Sequence, residues 1–379
     1  MVRYRMVGWI AACMLSYQLA PWAAEGCKDL FLKVDRQLAH YCLGVVSNKP
    51  SCFIHKKTLD QKLKQGLPAW AKAQIQEDLK PFKKIKKADI DRYADQYPQL
   101  ARLQVKEGKF LVHPHPSDRY LIMKDVFEYL AKNHYIKEAD LLLATADYFQ
   151  PKEKPRLPVF VFAKDLSHPL EKDLVLIPDA VNLDETHYLR PMIRQAAKQY
   201  PWDSKKPMLF WRGAQNGTAQ AGREALVLWS IEDPKRINAC FTYLSTCFTT
   251  VRQACQTCEA VTPANHLQYK YLISLDGVRA AWGRLVWHLH SNSLTFKHDS
   301  QHWQWFYKGI QPGVHYRSMH DKKSLLEGMD WAEKNPEAAQ KITQSASTFV
   351  EENLSLEDMY HYIIVLCQEY AKRLEAKAG

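Results

Sequence analysis

The sequence contains little glycine, 14 residues in 379, and no tract of strongly biased composition. Low-complexity and intrinsically disordered chains are thereby excluded, because their composition cannot bury enough apolar surface to fold. No internal repeat recurs at a fixed period, which excludes a solenoid. Beyond the N-terminal segment, no apolar run approaches the roughly 20 residues that span a bilayer. A chain of this length, with 46% hydrophobic residues, suits two globular domains of roughly 150–200 residues each.

Several common catalytic motifs are also missing. No glycine-rich loop ends in the GK[ST] of a P-loop, and no G-x-S-x-G of a serine hydrolase occurs. The histidines between His288 and His320 lack the spacing of a zinc protease, so scattered structural histidines are favoured over a metal cluster. Asp89-Ile90-Asp91 imitates the Asp-x-Asp of metal-dependent glycosyltransferases, but its lysine-rich helical surroundings indicate a solvated surface. We therefore expect no metal site.

The chain carries a formal charge of +11. Such an excess would suit a polyanion, since Lys and Arg neutralise phosphates. The excess is thinly spread, however, with one dense run at Lys80–Lys87. A solvated basic face is favoured over nucleic-acid binding, and we expect no nucleic-acid partner. The phosphates of a small substrate or an anionic membrane surface would use the same charge.

The first 24 residues have the organisation of a secretory signal peptide. Arg3 and Arg5 precede the apolar stretch Met6–Leu19, and small residues follow it before Glu25. The apolar core is shorter than a membrane span, so an uncleaved signal anchor is the second choice. We expect an exported bacterial protein, in the envelope or secreted. The alternatives are the lumen of the endoplasmic reticulum and a signal-anchored membrane protein, although the last residues, EAKAG, do not form a retention signal.

Eight cysteines follow the predicted signal peptide. In an exported chain this even number predicts disulfides within two clusters, with a connectivity that spacing does not fix. A zinc site in the second cluster is the weaker alternative, because a single C-x-x-C is poor evidence for zinc. The first cluster comprises Cys27, Cys42 and Cys52, the second Cys240, Cys247, Cys255 and Cys258, and Cys367 stands apart.

Short apolar runs alternate with helical patterns in two successive series. The first series holds Ala139–Ala144, Leu157–Ala163 and Leu174–Ile177, preceded by a helical, polar stretch over residues 25–112. The second holds Met208–Trp211, Tyr271–Leu275 and Ser293–Phe296. Buried strands flanked by helices predict an α/β protein with two Rossmann-like domains facing each other across a cleft. We expect domains at residues 25–185 and 186–350, followed by a C-terminal helix at 351–379.

Three places could carry chemistry. Asp147 follows a predicted strand, where ligands collect in open α/β sheets, and it could serve as a general base or merely cap a turn. The segment Trp211–Gly217, with Arg223 behind it, is either an anion-binding loop or an ordinary surface loop. The block Tyr269–Phe296 carries a strand, Asp276-Gly277 and a helix with Arg284 in its first turns. It suits a diphosphate site and a plain strand–helix crossover about equally.

In their order along the chain, these pieces resemble glycosyltransferase family ninety. That family contains Rumi-type protein O-glucosyltransferases, fungal capsule-associated proteins with the CAP-type domain, and bacterial lipopolysaccharide-modifying enzymes. The resemblance runs from about Ile75 to Leu374. The matching segments are Ile75–Phe82, Asp147-Tyr148-x-Gln150, Pro158–Lys164, Phe210–Ala214, Arg223, Tyr269–Leu272, Asp276-Gly277, Arg284, Ser293–Phe296, Trp303–Tyr307, Val314–Tyr316 and Asn353–Tyr370.

The resemblance implies a GT-B fold and an inverting, metal-independent transfer with a UDP-sugar as donor and no cofactor. It makes Asp147 the catalytic base and assigns a set of residues to the donor. Those donor-binding residues are Arg212, Gly213, Ala214, Arg223, Asp276, Gly277, Val278, Ala280, Ala281, Trp282 and Arg284.

The expected reaction moves a hexose or pentose, glucose or xylose first, to a hydroxyl of a glycan, a lipopolysaccharide or a protein. The alternative is a catalytically silent carbohydrate-binding protein of the same fold. Four departures from the family pattern stand out. Ala214 replaces a common serine, one extra residue lies between Gly277 and Arg284, and Gln304 stands where glutamate is frequent. The tryptophan-rich acceptor segment of the animal enzymes is also missing before Thr186, so a folded EGF repeat is not the expected acceptor.

Overall fold

A computed structural model describes residues 49–217, 222–244 and 257–375. These residues belong to one compact unit, 48–379. The predicted signal peptide and Cys27, Cys42, Cys247 and Cys255 lie outside the described residues. Eleven helices are described there: α1 (Lys56–Gln65), α2 (Ala69–Leu79), α3 (Lys87–Gln96), α4 (Asp118–Lys132), α5 (Ala180–Gln199), α6 (Arg223–Glu232), α7 (Pro263–His266), α8 (Trp282–Leu289), α9 (Lys322–Lys334), α10 (Pro336–Asn353) and α11 (Leu356–Ala371).

The first sheet has the strand order β2-β1-β3-β4-β6. Its strands are β1 (Leu100–Lys106), β2 (Lys109–Leu111), β3 (Ala139–Ala144), β4 (Val159–Val161) and β6 (Val175–Leu176). The strands β3, β4 and β6 run parallel, whereas β1 is antiparallel to both neighbours. Every residue of β3 is buried, as expected for a central strand covered on both faces.

The second sheet is wholly parallel, in the order β12-β10-β9-β7-β8. Its strands are β7 (Lys206–Gln215), β8 (Ile237–Leu244), β9 (Tyr269–Ser274), β10 (Leu294–His298) and β12 (Arg317–Met319). A third, two-stranded ladder pairs β5 (Lys164–Asp165) with β11 (His302–Trp303). That ladder joins the part of the chain that forms the first sheet to the part that forms the second.

These two sheets confirm the α/β class and the two-part organisation that a GT-B fold requires. The predicted boundary at 185/186 falls inside α5, which begins at Ala180 because the Asp179 side chain accepts a hydrogen bond from the backbone N–H of Asn182 at 2.9 Å. Such a cap satisfies one of the N–H groups that a helix start leaves without a partner. The domain boundaries themselves stay a prediction.

One prediction of the sequence pattern was wrong. The stretch 25–112 was expected to be helical, but its last part forms the hairpin of β1 and β2. The burial of β1 alternates along much of its length, which is typical of an antiparallel strand with one face more exposed. The polar residues of the exposed face break the apolar run that marks a buried strand.

The second cysteine cluster forms a disulfide between Cys240 and Cys258. This bond confirms that the cluster contains a disulfide, and it takes two of the four sulfurs that a zinc site would need. It ties β8, at the edge of the second sheet, to the chain at Thr257, which bridges to Phe241. In the described ranges, every helix is too short or too polar to serve as a membrane span.

A cluster of charges around Glu351 joins three helices. Arg190 and Arg194 of α5 and His290 next to α8 all contact this carboxylate, which lies in α10. Partial burial opposes ionisation, but the hydrogen bond from Arg194 and the charges of Arg190 and His290 lower the pKa of Glu351 to about 2. Because the pKa is lower in the folded state, the cluster stabilises the fold above the unfolded pKa of about 4.3.

We therefore expect a loss of stability as the pH falls below about 4.3, and a smaller loss in Glu351→Gln. Urea unfolding at pH 5.0 and pH 3.5 measures both. Asp89→Asn is the control, because Asp89 forms an exposed ion pair with Arg92. Equal pH dependence in Glu351→Gln and the wild type would contradict the assignment.

Candidate functional site

Asp147 lies three residues after β3, on the loop where the sequence predicted a base. Its carboxylate Oδ1 forms an ion pair with Nη2 of Arg119 at 2.8 Å, and the Asp147 side chain remains 45% exposed. The adjacent Tyr148 is exposed as well, and the guanidinium of Arg279 lies 5.1 Å from the centre of its ring. An accessible carboxylate beside an exposed aromatic ring could receive a proton from a hydroxyl group.

The first glycine-bearing segment is the end of β7 and the turn after it. Gly213 packs so tightly that a Cβ atom there would lie 2.6 Å from the ring of Trp211 and 3.1 Å from Nη2 of Arg284. Gly217 has a φ of +92°, in the left-handed region that only glycine adopts readily. Ala214 stands between them, and its carbonyl accepts a hydrogen bond. The segment therefore brings its backbone close to Arg284.

The second segment follows β9. A tight turn forms after Asp276, where the backbone N–H of Gly277 donates to the carbonyl of Arg279 at 2.9 Å. Val278, Ala280 and Ala281 continue the chain into α8, which begins at Trp282. Ala280 and Ala281 are buried, so this loop is packed into the protein rather than projecting from it.

These two segments, predicted separately, meet in the structure. A Cβ on Gly217 would lie 3.0 Å from Cα of Gly277 and closer still to its carbonyl, while a Cβ on Gly277 would lie 2.7 Å from Oδ1 of Asn216. Only glycine at both positions permits this approach. We call the two segments, 213–217 and 276–282, the paired loops.

The side chain of Arg223 joins the paired loops. Its Nε donates to the carbonyl of Asp276 at 2.6 Å, and its Nη1 donates to the carbonyl of Ala214 at 2.9 Å and to Asn216. Burial lowers the pKa of Arg223 to about 10, so the group remains charged at neutral pH. The structure therefore gives Arg223 a role in fixing the loops; direct contact with a donor stays a prediction.

The other two arginines differ in their settings. Arg212 donates to the backbone carbonyl and side chain of Asn238 at 3.1 and 2.8 Å, so its guanidinium is directed at the start of β8. The guanidinium of Arg284 lies 5.5 Å from the centre of the Trp211 ring. Of the three predicted arginines, Arg284 is the one beside the close approach at Gly213.

Asp276 is nearly completely buried, with His302, Ser300 and Lys297 around its carboxylate. Nδ1 of His302 lies 3.1 Å from its Oδ2. Burial would raise the pKa of Asp276, but the contacts with His302 and Ser300 and the charge of Lys297 lower it below its ordinary value. The carboxylate is therefore ionised and anchors the turn from within. Asp276 thus supports the loop, and its contact with a donor stays a prediction.

Arg119, Lys297 and His302 were not found from the sequence. Each is an isolated residue without a motif, and each becomes relevant only through contacts with Asp147 or Asp276. The pairing of β11 with β5 could not be read from strands of two residues. No local signal identified these groups.

Cation-binding groups are not assembled in the described ranges. Residues 49–217, 222–244 and 257–375 contain no group of three or more His, Cys, Asp or Glu side chains arranged to hold a metal ion. Asp91 of the Asp-x-Asp segment forms an ion pair with Arg102 at 2.8 Å. Metal independence stays a prediction.

Gly217→Ala tests the close approach of the paired loops. We expect Gly217→Ala to force the loops apart, because the new Cβ would overlap the Gly277 carbonyl. Gly108→Ala is the matched control, since Gly108 also has a positive φ, +74°, but no atom within 4 Å of the added Cβ. Both variants carry backbone strain of order 1 kcal/mol. The amount by which the Tm of Gly217→Ala falls below that of Gly108→Ala therefore measures the effect of the overlap. Equal losses in the two variants would contradict the close approach.

Known proteins resemble the chain over most of its length. Residues 68–379 match the family described as Glycosyl transferase family 90. The human Protein O-glucosyltransferase 1 is 27% identical over 256 residues, which cover 63% of this chain and 64% of the relative. The Drosophila melanogaster O-glucosyltransferase rumi is 29% identical over 195 residues, covering 49% of this chain and 46% of the relative. The match therefore spans less than two thirds of these relatives' length.

Among solved structures, the Anabaena protein HepE in complex with UDP-glucose resembles the chain at a TM-score of 0.32 and 9% identity. The similarity covers 48% of this chain and 51% of that protein. It is too distant to bear on the site.

Proposed function

Because the chain belongs to Glycosyl transferase family 90, we propose that it is an inverting, metal-independent glycosyltransferase. The proposed reaction moves a hexose or pentose, glucose or xylose first, from a UDP-sugar to a hydroxyl of a glycan, a lipopolysaccharide or a protein. One observation carries the proposal. The accessible carboxylate of Asp147 is linked through Arg119 to Trp282, the first residue of the helix that carries Arg284.

The donor diphosphate would bind at the paired loops. Arg284 supplies a guanidinium there, and α8 directs its N-terminus, the positive end of the helix dipole, to the same side. Gly213 and Gly277 allow the side chains of Trp211, Arg284 and Asn216 to pack directly against the backbone of these loops, because each lacks a Cβ in a crowded place. The charges of Arg223 and of the cluster around Asp276 hold these loops in position before the donor arrives.

The proposed step is a single in-line displacement. Asp147 accepts the proton of the acceptor hydroxyl, and that oxygen forms a bond to the anomeric carbon of the sugar. The bond between the anomeric carbon and the phosphate oxygen breaks on the opposite face, and its electron pair leaves with UDP. Attack from the face opposite the leaving group inverts the anomeric configuration. Arg284 stabilises the charge that develops on the diphosphate.

Metal independence is proposed because protein groups can supply the required positive charge. A guanidinium and a helix N-terminus act on a leaving diphosphate as preorganised electrostatic groups. The human and Drosophila relatives are named as O-glucosyltransferases, which supports glucose as the first donor sugar to test.

We propose two kinds of partner: a UDP-sugar as the donor, and a glycan, lipopolysaccharide or protein as the acceptor. We propose that the protein works outside the cytoplasm, in the bacterial envelope or after secretion. The Cys240–Cys258 disulfide supports this location, because disulfides persist mainly in oxidising compartments.

A donor screen tests the proposed function. The purified protein is incubated with UDP-glucose, UDP-xylose and other UDP-sugars, with and without EDTA, and released UDP is measured. We expect UDP release from one donor to persist in EDTA and to rise when an acceptor is added. Release that stops in EDTA would contradict metal independence. UDP binding without any release would favour the silent carbohydrate-binding alternative.

A further inference from the structure

Arg119 is the residue that connects the two sides of the proposed site. It lies in the first turn of α4, and its guanidinium has three partners. Nη1 donates to the carbonyl of Thr145 at 2.7 Å, and Nη2 lies 2.8 Å from Oδ1 of Asp147 in an ion pair. The guanidinium carbon also lies 4.3 Å from the centre of the Trp282 ring. One side chain therefore touches the end of β3, the candidate base and the start of α8.

The two groups that Arg119 connects, Trp282 and Asp147, differ in their surroundings. Trp282 packs on the buried ring of Phe162, with ring centres 5.5 Å apart in an edge-to-face contact. Asp147, in contrast, is half-exposed on a loop, where its carboxylate could rotate freely without a partner. The guanidinium thus links a solvent-exposed carboxylate to a ring that packs against the core.

The geometry of the guanidinium restricts the carboxylate further. Arginine is planar and presents its N–H groups in fixed directions. Because the carbonyl of Thr145 occupies Nη1 and the ring of Trp282 lies against the guanidinium, the direction of Nη2 is determined. The ion pair is made by Oδ1, so we assign the proton of the acceptor to Oδ2.

We propose that Arg119 is a positioning residue for the transfer reaction, which aligns Asp147 with the donor bound at the paired loops. This inference rests on the proposed function. Arg119 acts through Asp147 and does not bind the diphosphate. The alignment matters because small displacements of reacting groups cost large factors in rate. The contribution of the same contacts to folding is small, since exposed ion pairs stabilise proteins little.

Substitution of Arg119 separates positioning from other roles. In Arg119→Ala we expect kcat to fall by about 10²-fold. The KM for the UDP-sugar and the Kd for UDP should change by less than about twofold, and the Tm should be nearly unchanged. Arg119→Lys should recover part of kcat, because an ammonium can still pair with Asp147. The matched control is Arg92→Ala, which removes another arginine that pairs with an aspartate at 2.8 Å but lies in α3.

A double variant tests whether Arg119 acts through Asp147. Starting from Asp147→Asn, the further change Arg119→Ala should cost no more than about twofold in kcat, because the group to be aligned is already lost. A full additional 10²-fold loss would overturn the inference.

Two other outcomes would overturn it as well. A tenfold weaker affinity for UDP in Arg119→Ala would make Arg119 a phosphate ligand, and an unchanged kcat would make it a bystander. Failure of the proposed function is a separate result, because in that case the wild-type protein itself would release no UDP from any UDP-sugar.

Discussion

Replacing Asp147 with asparagine is expected to lower kcat for sugar transfer by about 10³-fold, within the range that general base catalysis contributes. Asparagine keeps the size of the side chain and can still accept a hydrogen bond from Arg119, but it cannot take a proton from the acceptor. Binding of UDP should be unchanged, because Asp147 is connected to the donor half through the side chains of Arg119 and Trp282. Released UDP measures turnover, and calorimetry measures UDP affinity.

The structure offers a closely matched control for this experiment. Asp89 is 42% exposed and forms an ion pair with Arg92 at 2.8 Å, whereas Asp147 is 45% exposed and forms one with Arg119 at the same distance. Asp89→Asn should therefore show the cost of losing such an ion pair without losing a base. Undiminished turnover in Asp147→Asn would remove Asp147 from the mechanism. Equal losses of turnover in Asp147→Asn and Asp89→Asn would show that the effect comes from losing an ion pair and not from losing a base.

Replacing Arg284 with alanine should weaken UDP binding by about ten- to a hundredfold. A hydrogen bond to a charged group contributes roughly 1.5–3 kcal/mol, and each 1.4 kcal/mol corresponds to a factor of ten in affinity. Arg284 is expected to carry this effect because its guanidinium lies beside Gly213 in the paired loops. Calorimetric titration with UDP measures the change.

Arg236→Ala is the control for Arg284→Ala. Arg236 immediately precedes β8 and forms an ion pair with Asp330, so it lies at the edge of the second sheet opposite the C-terminal strand ends that lead into the paired loops. Arg236→Ala removes one positive charge from the half of the protein that contains the second sheet, as Arg284→Ala does. Equal losses of affinity in both variants would indicate a general effect of net charge. Unchanged affinity in Arg284→Ala would move the donor site away from the paired loops.

The sequence revealed the strands that are buried on both faces. The runs around β3, β7 and β9 are continuously apolar because helices cover them, and that pattern is visible in a linear sequence. The strands β1 and β8 alternate between buried and exposed residues over much of their length, and β12 has only three residues. Their pattern does not differ enough from that of loops or helices, and they were missed.

The candidate site was predictable in its parts but not in its connections. Asp147 and the two glycine-bearing segments follow strands, so position alone suggested them. Sequence gave no indication that Gly217 and Gly277 touch, because 59 residues separate them along the chain and only the packing of β7 against β9 brings them together. For the same reason, the sequence did not indicate that Arg223 also donates to carbonyl oxygens of both loops.

The position of α11 has a consequence for biosynthesis. This helix belongs to the hydrophobic core that contains the first sheet, and the hydroxyl of Tyr370 donates to the carbonyl of Asp140 in β3 at 2.5 Å. A growing polypeptide therefore makes the strands of the first sheet long before it makes the helix that covers them. Since domains tend to fold as they emerge, the second sheet can be completed by nearby segments, while the first must wait for the ribosome to synthesise α11. Premature termination before Leu356 would thus leave the earlier-made half, with Asp147, without its cover.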